Sequence, residues 1–179
     1  MPSREASRTA RSAILDIGTG SGAIAIALAH HLPNAHVTAV DVSPAALAVA
    51  AANAAHHNLT SRIRFLKSDL LEAVAPCDST FDAIVSNPPY VPTADRDTLH
   101  PQVRDHEPAT ALFAGGDGLD IYRRLIPQAR AALKPNGLLA IEIGHDQRDA
   151  IAALLADWNE LHFVDDLQHI PRVALTRKP

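Results

Sequence analysis

The chain has 179 residues, 47% of them hydrophobic and 20% charged, with 20 acidic side chains against 16 basic ones and a formal charge of -4. That length serves one domain with a two-sided core and is short for two. No apolar run approaches the roughly 18 residues of a membrane span, and the acidic balance lacks the basic surplus that would neutralise several nucleic-acid phosphates. Cys77 is the only cysteine, which excludes an intrachain disulfide and any multi-thiolate metal site and suits a reducing cytoplasm.

Residues 1–12 carry Arg4, Arg8 and Arg11 among serines and alanines without an apolar stretch, and are expected to form a poorly ordered lead-in to a single domain over 13–179. From there strand-length apolar runs alternate with helical stretches, the signature of parallel strands joined by crossover helices. Ala13 to Ile17 reads as the first strand, followed by a Gly-rich turn, a helix from Ala23 to His31 ended by Pro33, and a second strand from His36 to Val40. Ser43-Pro44 starts the next helix, serine capping free amides and proline having no amide hydrogen to leave unpaired. That helix runs from Ala45 to His57 and stops near Asn58, before a third strand at Arg62 to Lys67.

Glu72 to Thr80 forms a weak helix or loop, and Phe81 to Ser86 the fourth strand. Pro92, Pro101, Pro108 and Gly115-Gly116 leave no regular element predicted across 91–117, a long loop of the kind that is usually functional or mobile. Leu119 to Leu133 is helical, Pro135-Asn136-Gly137 turns the chain, Leu138 to Ile143 is a fifth strand, and a helix spans Gln147 to Asp157. The last two strands, His162 to Asp165 and Arg172 to Thr176, are joined by a link too short for a crossover helix, so they pair antiparallel. The expected architecture is α/β: a Rossmann-like, seven-stranded, mostly parallel sheet with an antiparallel terminal hairpin.

Asp16-Ile17-Gly18-Thr19-Gly20-Ser21-Gly22 sits where the first strand turns into the first helix. Glycines there admit positive φ and close approach of a ligand, and helix-start amides favour a negative group. Asp41 ends the second strand, where a carboxylate accepts from ribose hydroxyls. Both features also suit a nicotinamide dinucleotide, since Gly18-x-Gly20-x-x-Ala23 matches its relaxed fingerprint. Asp16 favours S-adenosylmethionine instead, because a carboxylate before the loop attracts a cationic group and repels a pyrophosphate. Asp69, after the third strand, is placed to meet the adenine amino group, with Leu70 lining the adenine pocket.

Asn87-Pro88-Pro89-Tyr90 follows the fourth strand. Consecutive prolines have no amide donors and fixed φ, so neither sheet nor helix absorbs this loop. An amide or aromatic NH2 is a poor nucleophile, its lone pair being delocalised. Hydrogen bonds from it to the Asn87 side-chain oxygen and the Pro88 carbonyl would raise its electron density and fix its direction. Alignment is the larger effect, able to lower a barrier by about 7 to 11 kcal/mol against about 0.5 to 1.5 for one hydrogen bond. Tyr90 would lie against the flat substrate group and exclude water. No general base stands in the motif, so the surplus proton leaves to solvent. His30-His31 and His56-His57 do not suggest a metal, because adjacent helical side chains diverge by about 100 degrees.

The tetrapeptide is shared by DNA adenine, some rRNA guanine and protein glutamine methyltransferases. Asp16 to Leu28, Val85 to Val91, His106-Glu107-Pro108 with Ala111-Leu112, Gly116 to Asp120 with Tyr122-Arg123, and Glu142-Ile143-Gly144 with Gln147 narrow the likeness. Together they resemble the release factor glutamine methyltransferase family (HemK/PrmC type), over nearly the whole of 13–178. The resemblance implies methylation of the glutamine amide in the Gly-Gly-Gln loop of peptide chain release factors, with S-adenosyl-L-homocysteine as the other product. It implies cofactor contacts from Gly18, Thr19, Gly20, Ser21, Gly22, Asp41, Leu70 and Asn87, substrate contacts from Asn87 to Tyr90, and a substrate entrance shaped by Glu107-Pro108. The sequence departs from the family pattern in lacking a helical domain and a Pro-Arg-Pro-Glu-Thr-Glu type segment ahead of the first strand. It also reads Gln168-His169-Ile170-Pro171-Arg172 where a glycine is common. The alternatives are a ribosomal protein glutamine methyltransferase, an adenine-modifying nucleic-acid methyltransferase, a nicotinamide-dependent oxidoreductase and an idle binding module.

Overall fold

A computed structural model describes residues 11–74, 81–98 and 109–179. The expected lead-in therefore falls mostly outside the described residues, as do 75–80 and 99–108. Seven strands form one sheet in the order β3-β2-β1-β4-β5-β7-β6. They are β1 (Ser12–Ile17), β2 (Ala35–Asp41), β3 (Ile63–Lys67), β4 (Phe81–Ser86), β5 (Leu133–Glu142), β6 (Asn159–Asp165) and β7 (Pro171–Arg177). β1 to β5 run parallel to one another, whereas β7 pairs antiparallel with both β5 and β6. The sheet is the expected seven-stranded, mostly parallel one, and the sequence order reverses between β1 and β4, the place where open α/β sheets bind ligands.

Among the described residues five α-helices accompany it: α1 (Ala23–His31), α2 (Pro44–His56), α3 (Ala109–Leu112), α4 (Asp120–Ala132) and α5 (Arg148–Leu154). Alternating side chains of the inner strands feed two separate cores, as a sheet covered on both faces requires. Ile14, Val37 and Ala39 pack with Ala25 and Ala29 of α1 and Ala54 of α2. Leu15, Ile17 and Val40 pack on the other face with Tyr122, Leu125 and Ile126 of α4, Ile151 of α5, and Trp158. Small alanines let α1 and α2 lie close to their side of the sheet. Ser43 caps α2 by accepting the Ala46 amide at 3.2 Å, with Pro44 at the first helical position, and Asn58 ends the helix with φ 57°. No helix among the described residues is long and apolar enough to cross a membrane.

Three expectations are corrected. The stretch 91–117 does contain regular structure: a 3-10 helix at Thr93–Thr98, the single turn of α3, and a parallel bridge between Val91 and Phe113. The bridge is possible because Val91 follows the double proline with its own amide, which donates to Leu112 at 2.9 Å, while its carbonyl accepts from Ala114 at 3.0 Å. Pro92 starts the 3-10 turn by accepting from Asp95 at 3.0 Å. β5 begins at Leu133, directly after α4. The Pro135-Asn136-Gly137 segment is an irregularity within the strand: Phe81 pairs with Leu133 and Ala83 with Leu138, and Asn136 takes up the slack at φ 62°. Finally, α5 stops at Leu154, and Trp158 turns back by donating its amide to Leu155 at 3.0 Å.

The β6–β7 link shows why glycine is favoured in it, since His169 adopts φ 60°. Asp166 holds the turn in place of a glycine's freedom, its Oδ1 accepting the Gln168 and Ile170 amides at 2.8 and 3.1 Å and its Oδ2 accepting Arg172 Nε at 3.0 Å. The Arg172 guanidinium and these amides keep the Asp166 carboxyl below the usual carboxylate range.

Candidate active site

The turn after β1 is stapled to the end of β2, with the amides of Gly18 and Thr19 both donating to the Val40 carbonyl, at 2.9 and 3.0 Å. Gly18 and Gly20 adopt φ of 70° and 56°, which a side chain would resist. A Cβ at Gly18 would stand 3.8 Å from the Asn87 carbonyl, so the glycine turn and the double-proline loop are neighbours. Gly22 serves helix packing instead, because a Cβ there would come within 3.0 Å of Ala50, which makes it the contact point between α1 and α2.

Asp16 has no exposed surface. Its Oδ2 accepts Thr19 Oγ1 at 2.6 Å and the Ala25 amide at 3.1 Å, tying the start of α1 to the end of β1. Its Oδ1 is buried and has no hydrogen-bond partner among the described residues. Burial pushes the Asp16 carboxyl up to about 6; the hydrogen bonds from Thr19 and Ala25 oppose that rise and the charge of Asp41 adds to it. A buried carboxylate with one unpartnered oxygen favours a cationic hydrogen-bond donor. Asp41 is organised otherwise, Oδ2 accepting the Gly20 amide and Oδ1 the Ser43 amide, each at 2.9 Å. Each oxygen keeps lone-pair capacity for a further donor such as a hydroxyl.

A cavity of about 460 Å³ opens between the glycine turn, the ends of β2 and β3, and the loop after β4. Of the residues expected around a cofactor, it brings together Gly18, Gly20, Ser21, Asp41, Asp69, Leu70 and Asn87. Asp16, Thr19 and Gly22 are not among its lining residues; they build the turn from behind. Leu70 reaches the cavity in a left-handed conformation, φ 48°. Asp69 is also engaged elsewhere, its Oδ2 accepting Arg124 of α4 at 2.7 Å.

An apolar wall that the sequence does not announce completes the cavity. Val42, Ala46, Val49, Ala111 and Ile121 line the same cavity, and Val42 and Val49 are each 51% exposed. The one local signal is Val42 itself, an apolar residue directly after the strand-end carboxylate. The others come together only through the tertiary arrangement.

Ser86, ending β4, is buried and donates to the Ile17 carbonyl at 2.8 Å, which aligns the ends of β4 and β1. Asn87 is exposed at the cavity, Pro88 is buried, and both prolines line the wall. Tyr90 is not among the lining residues. It packs on the larger core, its hydroxyl donates to Glu142 Oε1 at 3.3 Å, and its carbonyl accepts Gln147 Nε2 at 2.9 Å. Tyr90 therefore braces the loop in this arrangement, a role the sequence does not announce. Glu107 and Pro108 lie outside the described residues.

These residues fit S-adenosylmethionine. Asp16 stands behind the turn, where its carboxylate favours a cation such as the ammonium group without reaching the cavity; Asp41 suits the ribose hydroxyls, and the wall of Val42, Val49 and Leu70 a flat base. The family model described as methyltransferase small domain matches residues 4–116. Over 174 residues the chain is 48% identical to the release factor glutamine methyltransferase of Koribacter versatilis (strain Ellin345), covering 97% of this chain and 61% of that relative. It is 52% identical over 141 residues to the release factor glutamine methyltransferase of Moorella thermoacetica (strain ATCC 39073 / JCM 9320), covering 79% of this chain and 49% of the other. The chain thus spans about half to three fifths of the length of these curated relatives. Among solved structures, the ribosomal protein L11 methylase from Lactobacillus delbrueckii subsp. bulgaricus is similar with a TM-score of 0.67 and 26% identity, over 98% of this chain and 74% of that one.

Proposed function

The chain belongs to the methyltransferase small domain family, and we propose that it methylates the side-chain amide nitrogen of the glutamine in the Gly-Gly-Gln loop of peptide chain release factors. The observation that carries this reading is the adjacency of two loops: Asn87-Pro88-Pro89 walls the same cavity as Gly18, Gly20 and Asp41, and the Asn87 carbonyl abuts Gly18. S-adenosylmethionine, when bound, supplies an activated methyl group on a sulfonium and leaves as S-adenosylhomocysteine. The glycine turn, Asp41, Asp69 and Leu70 hold it, with the carboxylate of Asp16 behind the turn favouring its ammonium group. The Asn87 side-chain oxygen and the Pro88 carbonyl accept the two N–H groups of the substrate amide, and the restricted backbone of the two prolines sets the direction of approach. Placement supplies most of the acceleration, since oriented reactants gain about 7 to 11 kcal/mol. The apolar wall excludes water, Tyr90 braces the loop from behind, and the surplus proton of the product leaves to solvent. The names and degree of identity of the curated relatives support release factors as substrates, and the reaction takes place in the cytoplasm. Transfer of labelled methyl from S-adenosylmethionine to purified release factor tests the reading. Label is expected on the wild-type factor and not on a Gly-Gly-Ala loop variant; label on that variant, or on nucleic acid alone, overturns it.

A further inference from the structure

Three segments meet at one side chain behind the double-proline loop. Gln147, at the start of α5, donates through Nε2 to the Tyr90 carbonyl at 2.9 Å and to the Gly118 carbonyl at 3.2 Å, and accepts the Gly144 amide on Oε1 at 2.9 Å. Both donors of the amide group and one face of its oxygen are thus engaged with main chain. The packing is tight enough to exclude side chains at two of the partners. A Cβ on Gly118 would lie 2.3 Å from the Tyr90 carbonyl and 2.7 Å from Gln147 Nε2, and one on Gly144 would lie 2.9 Å from Gln147 Oε1. The prolines of the loop have no amides with which to anchor it. Its far end is therefore held at the Tyr90 carbonyl by a side chain reaching from beyond β5.

We infer that Gln147 is a positioning residue for methyl transfer, fixing the aim of the Asn87–Tyr90 loop by clamping the Tyr90 carbonyl to the segments at Gly118 and Gly144. The inference rests on the methyl-transfer reading above. Gln147 touches neither reactant in this role; it acts through Tyr90, whose hydroxyl bond to Glu142 holds the same residue from its other end. Because the clamp lies away from the glycine turn and Asp41, its removal misplaces the substrate amide and leaves the cofactor pocket in place.

Gln147→Met keeps the length of the side chain and loses both donors; Gln147→Glu keeps the acceptor and loses both donors. Either variant is expected to lower kcat toward release factor by roughly 10- to 100-fold, the scale of a 1 Å misplacement, with the Kd for S-adenosylmethionine changed less than about twofold. Amide hydrogen exchange at Tyr90 and Val91 is expected to quicken in both. Thr176→Val, which removes a hydroxyl bond to the Asn159 carbonyl in the terminal hairpin, is the comparison for general destabilisation; it is expected to lower Tm and to leave kcat and loop exchange unchanged. Wild-type kcat in a folded Gln147 variant overturns the inference, as does a loss of kcat that Thr176→Val reproduces at equal Tm. If the wild-type protein transfers no methyl to release factor, the functional reading fails, and the exchange data alone then decide the clamp: unchanged protection at Tyr90 and Val91 overturns it.

Discussion

The Thr19 hydroxyl donates a 2.6 Å hydrogen bond to Oδ2 of Asp16, inside a turn where the carboxylate has no exposed surface. Burial nevertheless dominates, lifting the carboxyl to about 6. Below its ordinary value both folded and unfolded chains hold the proton. Between that value and about 6 only the folded chain does, so this group's stabilising contribution is lost as pH rises through the window. Urea unfolding of the ligand-free protein from about pH 4 to about pH 7 is expected to show a falling component that Asp16→Asn lacks. Parallel profiles for the two proteins would refute the assignment.

Asn87 meets the glycine turn through its main-chain carbonyl, and that atom survives truncation of the side chain. Asn87→Ala is therefore expected to reduce methyl transfer by about 10²-fold or more, while calorimetric affinity for S-adenosylmethionine stays within about threefold. Wild-type turnover in this variant would show that the loop is not the reacting centre.

Gly22 combines φ 84° with a Cβ position 3.0 Å from Ala50. A left-handed alanine costs roughly 1–2 kcal/mol before any overlap, so Gly22→Ala is expected to lower the urea midpoint by at least that equivalent. Cofactor affinity should fall with it, because α1 and the turn shift together. An unchanged midpoint would mean that α1 and α2 separate freely.

Val42 and Val49 are half exposed and line the cavity, so they contribute little to folding and much to a ligand that covers them. Val42→Ser and Val49→Ser are each expected to weaken cofactor binding by about 1 kcal/mol, several-fold in Kd. Stability should change by less than about 0.5 kcal/mol. Equal losses in stability and binding would place these side chains in the core instead.

The first four strands are legible in the sequence because buried parallel strands read as short apolar runs between turn signals. The glycine turn and the double-proline loop are legible because their chemistry is local. Asp16 shows where local reading stops: its position before the turn is evident, but its complete burial depends on α1 closing over it through Ala25. The bridge between Val91 and Phe113 joins residues separated by the segment around Pro101 and Pro108, and no periodicity announces such a pairing. Tyr90 reads as a substrate platform because it is aromatic. Its place as a brace depends on Glu142 and Gln147, which lie far along the chain and approach only once β5 stands beside β4.

Among the described strands, β6 reaches the sheet through β7 alone, since β7 lies between it and β5. Mechanically this makes the pair a single flap: a load applied to Asn159–Asp165 passes through sheet hydrogen bonds to β5 only by way of β7, while Leu161 and Phe163 hold it to the core by side-chain packing. Were that seam between β5 and β7 to open, the five parallel strands carrying the glycine turn and the double-proline loop would keep every one of their own ladders.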